Sequence, residues 1–509
     1  MRNLFRLLFF AYVAISSAIF AGWAVYLCIV VVNQHAQFLL SLIFLAITLI
    51  MGTLNVAMGY FYYQSAMEPR NDRGCKPPKV LPKVAVAVAC CNEEPDIVRA
   101  TVESMAKFDY PVGKASFWLL DSSEKHEVRQ ALEKIARQNG FTYLYRSRHA
   151  GFKAGSLNAF VRAARDAEFI AVFDADEQLI DSGMLMDNIG FFSDEKLAFI
   201  QTNKAARPAG LFANAVEATY ALFYRTSQPI RSRLGMPLYS GSVGIVRTSA
   251  LHAVGGFCED ASCPSEDAEF ALKCDIAGFR GLFVAKTYAY GEPVHSYSAF
   301  RRQQWKYTYG SARIVPKYLA NARKLGRSPL KHLLYVSQLI SFPYTSILVV
   351  LSALFSASFV LSNLSFTLVS FSELFTLVNT SPTIFDGLQT FAANMASLLV
   401  ISCVYFGAIV TGLVAGLLNL SLSMVRSEAA LSASTRSINE IAVTQKTKKQ
   451  PTGSVFGAIS LTWMDFAYAL LFLGLTVFSL LRGDVIGAVW MFWYAFMFLL
   501  APIFALVVG

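Results

Sequence analysis

Long apolar segments without charged residues interrupt this chain at both ends. A helix needs about 20 apolar residues to cross the hydrocarbon core of a bilayer. Six segments are predicted to span a membrane: residues 7–32, 38–62, 333–361, 391–418, 461–481 and 485–508. The fifth of these is the weakest prediction because it contains Asp465, which we expect to lie near the cytosolic end of that segment.

Between residues 68 and 331 the pattern changes to short apolar runs that alternate with amphipathic stretches. The run VAVAVAC at 84–90 is typical of a buried strand. Further strands are predicted at 116–120, 142–146, 169–173 and up to residue 202, separated by helices at 96–107, 124–138, 154–164 and 184–192. This alternation predicts a mostly parallel sheet with helices on both faces, in which ligands bind at the carboxyl ends of the strands.

The composition fits one water-soluble domain set between membrane parts. Of the 509 residues, 55% are hydrophobic and 15% are charged, whereas soluble proteins carry about 25% charged residues. Most of the 44 basic and 34 acidic residues fall between residues 68 and 331. We therefore predict two N-terminal membrane helices (1–67), a soluble domain (68–331), helices three and four with an external loop (332–425), a cytosolic loop (426–460), and helices five and six (461–509).

The distribution of Lys and Arg near the span ends predicts the orientation. Arg2 and Arg6 precede the first span, and the soluble domain and the loop 426–449 are also basic. With six spans these regions share one side, which the positive-inside rule assigns to the cytosol. We expect an integral, multi-pass protein of the plasma membrane with both termini and the soluble domain in the cytosol.

Several classes of site are disfavoured by the residues. The eight cysteines show no disulfide framework and no zinc-like spacing. No glycine-rich phosphate loop follows the first predicted strand, which argues against an ordinary dinucleotide site or P-loop. No nucleic-acid motif is present. The net charge of +10 is explained by positive-inside bias together with an anionic ligand.

Polar and acidic residues follow the predicted strands, where a ligand would bind. Asn92 and Glu93 follow the first strand, Asp121 ends the second, and Asp174 and Asp176 follow the strand at 169–173. Two carboxylates at i and i+2 can share Mg²⁺ or Mn²⁺ with phosphate oxygens. An isolated Asp-x-Asp also arises by chance, and surface turns favour Asp, so this motif alone leaves both interpretations open.

Two helix starts add candidate chemistry. HAGFKAGSLN (149–158) places Lys153 in a glycine-containing turn that opens a helix, an arrangement suited to a diphosphate. The alternative is a solvated loop lysine. Ser265, Glu266 and Asp267 open another helix, where first-turn acids also serve as ordinary capping residues. Capping does not exclude catalysis.

The stretch RRQQWKYTYG (301–310) combines cations, amides and aromatic rings just before the third predicted span. One interpretation is a ligand-binding segment, in which the aromatic faces stack on the ligand while the amides and cations bind its hydroxyl and phosphate groups. The alternative is an amphipathic helix at the membrane surface, with its aromatic and cationic residues at headgroup level. The two interpretations are compatible.

The motifs VACCNEEP, LLDSS, GFKAGSLN, FDADE, GSVGIVR, SEDAEF and QQWKYTYG occur in this order. Together they resemble the membrane-embedded, processive family-2 glycosyltransferases, which include cellulose, hyaluronan, chitin and mannan synthases. That family has D, DxD, TED and QxxRW motifs in the same order. The resemblance implies an α/β GT-A (Rossmann-like) cytosolic domain, inserted in an α-helical membrane part of about six transmembrane helices.

The resemblance also implies a role for each matching position. Asp267 corresponds to the general base and Glu266 precedes it in the same motif, while Asp176 is the direct metal ligand, with Asp174 beside it. The positions implied to hold the nucleotide-sugar are Asn92, Glu93, Asp121, Lys153 and Asp174. The positions implied to bind the acceptor are Gln303, Gln304, Trp305, Lys306 and Tyr307. Lys306 and Tyr307 replace the Arg and Trp of the family motif, so the acceptor positions depart from the family pattern at these two residues.

The implied activity is that of a processive, inverting β-glycosyltransferase. Its donor would be a nucleotide-diphosphate sugar, with a UDP-sugar favoured over GDP-mannose, and its cofactor Mg²⁺ or Mn²⁺. Its other partners would be a glycan acceptor and the lipid bilayer, with no nucleic acid. Two alternatives stay open: a non-processive enzyme that acts on a lipid-linked acceptor, and an inert membrane partner in a glycan export complex.

The segment IAVTQK (441–446) in the predicted cytosolic loop resembles the FxVTxK gating loop of cellulose synthases. Val443, Thr444 and Lys446 are the matching positions, and Ile441 stands where the family has Phe. The alternative is a solvated basic linker.

Overall fold

A computed structural model describes residues 74–147, 151–260, 265–326, most of 328–339, scattered residues up to 361, and then 409–435, 454–483 and 485–509. The predicted first and second spans and the external loop lie outside the described residues. So do the predicted gating positions Val443, Thr444 and Lys446, and most of the third and fourth spans.

The described strands form one eight-stranded sheet in the order β3-β2-β1-β4-β7-β6-β8-β5. The strands are β1 Val84–Cys90, β2 Ala115–Asp121, β3 Thr142–Tyr145, β4 Phe169–Asp174, β5 Gln178–Leu179, β6 Leu197–Ala206, β7 Gly244–Arg247 and β8 Arg280–Gly291. Strand β1 is central and apolar throughout because helices cover both faces of the sheet.

Strand direction divides the sheet into two halves. Strands β1 to β4 pair in parallel, as the sequence pattern predicts. In the other half β7 runs antiparallel to both β4 and β6, and β5 runs antiparallel to β8, while β6 and β8 are parallel. The sheet is therefore mixed. Hydrophobic periodicity distinguishes a strand from a helix but carries no information about strand direction.

Helices pack on both faces of the sheet, and they fall into a first group up to residue 336 and a C-terminal group. Those of the first part are α1 Pro95–Met105, α2 His126–Gln138, α3 Phe152–Ala163, α4 Met184–Asn188, α5 Gly210–Leu222, α6 Gln228–Arg233, α7 Thr248–Ala253, α8 Glu266–Ile276, α9 Tyr297–Asn321 and α10 Pro329–Val336. Val84, Val86 and Val88 of β1 face α1 and α2. Ala85 and Ala87 face α3, where small side chains let the helix approach the sheet closely.

The C-terminal helices are α11 Ile409–Leu420, α12 Ser423–Thr435, α13 Val455–Leu461, α14 Trp463–Leu481 and α15 Val485–Val508. Two helices among the described residues are long and apolar enough to cross a membrane: α14, and α15 over residues 487–508. They coincide with the fifth and sixth predicted spans. Helices α11 and α12 meet at a bend of 43° and together could form a third such element.

Helix α9 connects the sheet domain to these C-terminal helices. It starts at Ser296, whose side chain accepts a hydrogen bond from the backbone N–H of Ala299. Val294, Tyr297 and Phe300 pack in one apolar cluster with Leu418 and Leu422. Residues 301–310, singled out in the sequence, therefore lie on a helix held between the two parts of the molecule.

Candidate active site

The carboxyl ends of β1 and β2 are joined by polar contacts around Asp121, whose side chain is fully buried. Its Oδ2 accepts a 2.6 Å hydrogen bond from the hydroxyl of Tyr143, and its Oδ1 accepts one of 2.7 Å from the backbone N–H of Ser123. Burial, followed by the hydrogen bond to Asp121, raises the pKa of Tyr143. The Tyr143 hydroxyl therefore stays protonated and remains a donor to this carboxylate.

Asn92, which follows β1, is hydrogen-bonded to the residues that follow Asp121. Its backbone N–H donates to Ser123 Oγ at 2.9 Å, and its side-chain oxygen accepts from the backbone N–H of Glu124 at 2.9 Å. Asn92 has a φ of 58°, in the left-handed region that Asn tolerates better than most residues. Glu93 follows and is partly exposed beside it. Of the predicted nucleotide-sugar positions, Asn92, Glu93 and Asp121 thus form one group.

Asp174, at the end of β4, lies between two ammonium groups. Its Oδ1 is 2.5 Å from the Nζ of Lys153, and its Oδ2 is 3.3 Å from the Nζ of Lys204. Oδ2 also accepts a 2.8 Å hydrogen bond from Ser242. Burial favours the neutral acid, but the two lysines outweigh it and hold the pKa of Asp174 below its usual range. Asp174 is therefore a carboxylate at neutral pH.

Lys204 also binds a second acid of the same cluster. Its Nζ lies 2.9 Å from Glu177 Oε1 and contacts Ser242 Oγ. Burial opposes the positive charge, but Glu177 and Asp174 raise the pKa of Lys204 well above its ordinary value. Glu177 in turn accepts a 2.8 Å hydrogen bond from the backbone N–H of Asp174. The sequence reasoning missed Lys204 and Glu177, although Lys204 follows the apolar run of a buried strand, as the predicted site residues do.

Lys153 extends from the start of α3 to the turn that precedes β7. Besides Asp174, its Nζ binds the backbone oxygen of Gly241 at 3.0 Å. Gly241 has a φ of 77°, and a methyl group on its Cα would come within 3.1 Å of Asp267 Oδ2. The Gly241 turn therefore brings Lys153 and Asp174 close to the first turn of α8.

Glu266 and Asp267 share that first turn of α8. Burial raises the pKa of Glu266 to about 7, with a contribution from the charge of Asp267, and the cations Lys153 and Lys306 oppose the rise. Burial also raises the pKa of Asp267, against the hydrogen bond from the backbone N–H of Ala268 and the same two lysines. Two neighbouring acids with raised pKa values form a pair able to accept a proton near neutral pH.

The residues of the QQWKY segment divide between two faces of α9. Gln303 and Tyr307 contact each other at 3.1 Å, and the charge of Lys306 reaches Glu266. Gln304 is 2% exposed and accepts a 2.6 Å hydrogen bond from Arg426 of α12. Trp305 stacks on Tyr309 with a ring-centroid distance of 5.1 Å and packs against α12. Lys306 is thus directed toward the acids of α8, while Gln304 and Trp305 are directed toward the C-terminal helices.

Arg301, in the same segment, forms a buried ion pair that the sequence reasoning did not anticipate. Its guanidinium lies 3.0 Å from Asp465 in the first turn of α14, and the two side chains are 7% and 2% exposed. Both residues drew attention individually, Arg301 in the polar stretch and Asp465 as an acid in an apolar helix. A charged residue in an apolar helix predicts a partner of opposite charge, and that signal could have found the pair.

The acids at the end of β4 are a candidate place for a divalent cation. Within the described part of the chain, no group of three or more His, Cys, Asp or Glu side chains is arranged to hold a metal ion. Mg²⁺, however, is ordinarily bound by one or two carboxylates together with substrate phosphates. Asp174 and Asp176 provide such a pair. Asp176 Oδ2 accepts a hydrogen bond from the backbone N–H of Glu292, whereas Asp174 is already bound by two lysines. The donor set fits a metal shared with a diphosphate, centred on Asp176.

This combination of a mixed α/β sheet with a carboxylate cluster at the end of its fourth strand defines a GT-A-like glycosyltransferase fold. Residues 82–310 match the family model described as "Glycosyltransferase like family 2". This part of the chain is therefore similar to a family-2 glycosyltransferase domain.

Curated relatives of the chain include two cellulose synthase catalytic subunits described as UDP-forming. The subunit from Xanthomonas axonopodis pv. citri is 27% identical over 269 residues, covering 51% of this chain and 36% of the relative. The subunit from Pseudomonas fluorescens is 28% identical over 243 residues, covering 47% and 32%. This chain thus matches about a third of the length of these relatives.

Among solved structures, the mannosyltransferase of Pyrobaculum calidifontis in complex with GDP-Man and Mn²⁺ is similar to this chain. It is 18% identical, with a TM-score of 0.48, and the match covers 72% of this chain and 99% of that protein.

Proposed function

We propose that this chain is a processive, inverting β-glycosyltransferase: a polysaccharide synthase that elongates a glycan from a nucleotide-diphosphate sugar and passes it across the membrane. The observation that carries this proposal is the convergence on the Gly241 turn. There Lys153 binds both Asp174 and the Gly241 backbone, while Asp267 approaches the same glycine. Cations for a leaving diphosphate thus lie beside a candidate base.

The donor occupies the carboxyl ends of β1, β2 and β4 in this proposal. Asn92, Glu93 and Asp121 hold the nucleoside, and Lys153 holds the diphosphate near Asp174. A diphosphate competes with Asp174 for Lys153, since the ammonium group can serve either anion. A UDP-sugar is favoured over GDP-mannose, and the "UDP-forming" description of the two curated relatives supports this choice.

A divalent cation, Mg²⁺ or Mn²⁺, would be held by Asp176 with Asp174 and by the donor phosphates. When bound, it would supply positive charge that stabilises the leaving diphosphate. Lys153 is the protein's own positive charge for the leaving diphosphate, and it contacts Asp174.

The transfer is a single displacement at the anomeric carbon. The acceptor hydroxyl oxygen bonds to sugar C1, the bond from C1 to the diphosphate oxygen breaks with its electron pair, and Asp267 takes the hydroxyl proton. Attack opposite the leaving group inverts C1, so an α-linked donor gives a β-linkage. A base with a raised pKa suits this step because it binds the proton more firmly than an ordinary carboxylate does.

The acceptor lies against α9 in this proposal. Gln303, Lys306 and Tyr307 contact it directly, whereas Gln304 and Trp305 support them from the side of the C-terminal helices. Because α9 packs on those helices, a glycan leaving the site would meet the membrane part at once, which favours transfer into the membrane over release. We place the enzyme in the plasma membrane, with the catalytic domain and both termini in the cytosol.

The proposal is tested with the purified full-length chain in liposomes, supplied with Mg²⁺ or Mn²⁺ and a panel of radiolabelled nucleotide-sugars. We expect one donor to give a product of high molecular weight, and Asp267→Asn to abolish it while the protein still binds UDP. Products limited to single sugars on lipid would instead support the lipid-carrier alternative. Absence of turnover with every donor would count against an enzyme and for the inert partner.

A further inference from the structure

A chain of hydrogen bonds crosses α9 from the C-terminal helices to the face that carries Lys306. Arg426 of α12 donates to Gln304 Oε1 at 2.6 Å, and Gln304 Nε2 donates to the Tyr220 hydroxyl at 3.1 Å. Tyr220, on α5, donates to Gln303 Oε1 at 2.7 Å, and Gln303 Nε2 donates to the Tyr307 hydroxyl at 3.1 Å. Four hydrogen bonds therefore join Arg426 to Tyr307.

Arg426 fixes which group donates and which accepts in each of these four hydrogen bonds. A guanidinium has donors only, so the Gln304 atom that it contacts must be the carbonyl oxygen. The Gln304 amide nitrogen then donates to Tyr220, which leaves the Tyr220 hydroxyl proton for Gln303. Gln303 consequently accepts with its oxygen and donates with its nitrogen. At the far end Tyr307 accepts from Gln303, so its own proton is directed away from Gln303.

The residues joined by these hydrogen bonds become more exposed toward Tyr307. Gln304 is 2% exposed, whereas Tyr307 is 41% exposed at the surface of the site. The Tyr220 and Tyr307 rings meet edge to face at 6.4 Å, which holds the third and fifth members of this series in register. Asn419 also accepts from Arg426, at 3.1 Å, and helps to fix the guanidinium. The buried end is anchored, and the exposed end presents hydrogen-bonding groups of defined polarity.

We propose that Arg426 is a positioning residue for the glycan acceptor, acting through Gln304, Tyr220 and Gln303 on Tyr307. This inference rests on the proposed function, in which Gln303 and Tyr307 bind the acceptor. Without a hydrogen-bond donor at position 426, the Gln304 side-chain amide can rotate by 180°. The donor and acceptor roles of Tyr220, Gln303 and Tyr307 are then no longer fixed. The acceptor hydroxyl is then held less firmly for attack, and water competes with it for C1 of the same donor.

The test measures how each cleaved donor is partitioned between glycan and water. The ratio of free sugar to sugar incorporated into glycan is determined with the radiolabelled donor that the wild-type enzyme uses. This ratio does not depend on the fraction of protein that is folded, because inactive molecules contribute to neither product. We expect Arg426→Met and Tyr220→Phe to raise the ratio about tenfold, the effect of losing one well-ordered hydrogen bond. Arg426→Lys retains a donor and should largely restore the wild-type ratio.

Arg313→Met is the matched control. Arg313 lies on α9 and donates to the backbone oxygen of Ala433 on α12 at 3.3 Å, outside the chain described above. It should lower stability without changing the ratio. An unchanged ratio in Arg426→Met, or an equal rise in Arg313→Met, would overturn the positioning role while leaving the proposed function intact. A wild-type enzyme that makes no glycan from any donor would overturn both.

Discussion

Glu266 and Asp267 occupy one buried turn, and their raised pKa values give the site a dependence on pH. An unperturbed glutamate has a pKa of about 4.3, whereas that of Glu266 is raised to about 7. The proposed base is Asp267, whose pKa is also raised by burial, and a base is inactive when protonated. The fall of kcat/KM at low pH should therefore begin at a higher pH than an ordinary aspartate would give. The two acids interact, and the apparent value therefore belongs to the pair. A pH–rate profile with the preferred donor measures it.

Glu266→Gln tests the origin of this pH dependence. The substitution removes the member of the pair whose pKa is raised to about 7. If the acid limb reflects protonation of the pair, it should then move to lower pH. Glu133→Gln, on α2 and paired with the exposed Arg137, is the control and should leave the limb in place. An acid limb at the same pH in Glu266→Gln and wild type would contradict the coupling.

Gly241 combines a positive φ with a position next to Asp267. Gly241→Ala should cost about 1 kcal/mol for a side chain at positive φ. It should also displace Asp267, since the added methyl group would lie 3.1 Å from Oδ2. We expect the transfer rate to fall about a hundredfold, because small displacements of catalytic groups have effects of this size.

Gly278→Ala separates the two effects of that substitution. Gly278 has a φ of 80°, close to that of Gly241, but nothing lies within 4 Å of an added methyl group. It should show the loss of stability in thermal unfolding and keep its activity. Equal activities of the two glycine variants would argue against a catalytic position for Asp267.

Local rules predicted part of this site and missed the rest. Asp121, Asp174 and Lys153 were found because strand ends and helix starts are visible in the hydrophobic pattern, and the structure brings the latter two into contact. Lys204 and Ser242 were missed as partners of Asp174, since their contacts depend on β7 lying beside β4 and on β6 lying beside β7. Arg426 was also missed, because its contact to Gln304 joins residues 122 positions apart. The roles given to the predicted residues stay predictions.

At the scale of elements, the buried pair of Arg301 and Asp465 fastens α9 to α14. Removing one member leaves a buried charge without its partner, which typically costs about 3 to 5 kcal/mol. Arg301→Met should therefore lower the midpoint of thermal unfolding in detergent strongly. The double variant Arg301→Met/Asp465→Leu should regain most of the loss, because both charges are then replaced by apolar groups.

Arg137→Met provides the comparison for a surface pair. Arg137 and Glu133 lie 2.6 Å apart, but their side chains are 76% and 40% exposed. Such pairs contribute about 0.5 kcal/mol, so the unfolding midpoint should barely change. A similarly small effect of Arg301→Met would mean that the ion pair contributes little to fastening α9 to α14.

Strand and helix positions followed from the sequence more reliably than topology did. The run at 84–90 coincides with β1, and most other predicted strands and helices differ from the observed ones by one or two residues at each end. The predicted helix at 184–192 is α4 followed by a 3-10 turn. The direction of β7 was not predictable, because it depends on how the chain returns through α5 and α6 after β6.

At the scale of the whole molecule, the sheet domain and the C-terminal helices share one apolar interface. Val216 of α5 and Phe300 of α9 pack with Leu418, Leu422 and Val425. A fragment limited to residues 74–326 would expose this surface, and exposed apolar patches promote association. We expect the fragment to self-associate in size-exclusion chromatography and to become monomeric in mild detergent.

The full-length chain in the same detergent is the reference for that measurement. A fragment that ran as a monomer without detergent would show that the interface contributes little to the stability of the sheet domain.

The ion pair between Arg301 and Asp465 also sets an order of events during synthesis. Its two members are 164 residues apart, and at about 5 to 20 residues per second their translation is separated by on the order of 10 to 30 seconds. The whole catalytic sheet is made before the carboxylate that neutralises Arg301 exists. Helix α9 can therefore complete its docking only after α14 has been made. A chain translated only as far as α12 carries a complete sheet, but its α9 still lacks this ion pair. The proposed acceptor site on α9 is therefore the last part of the site to be secured.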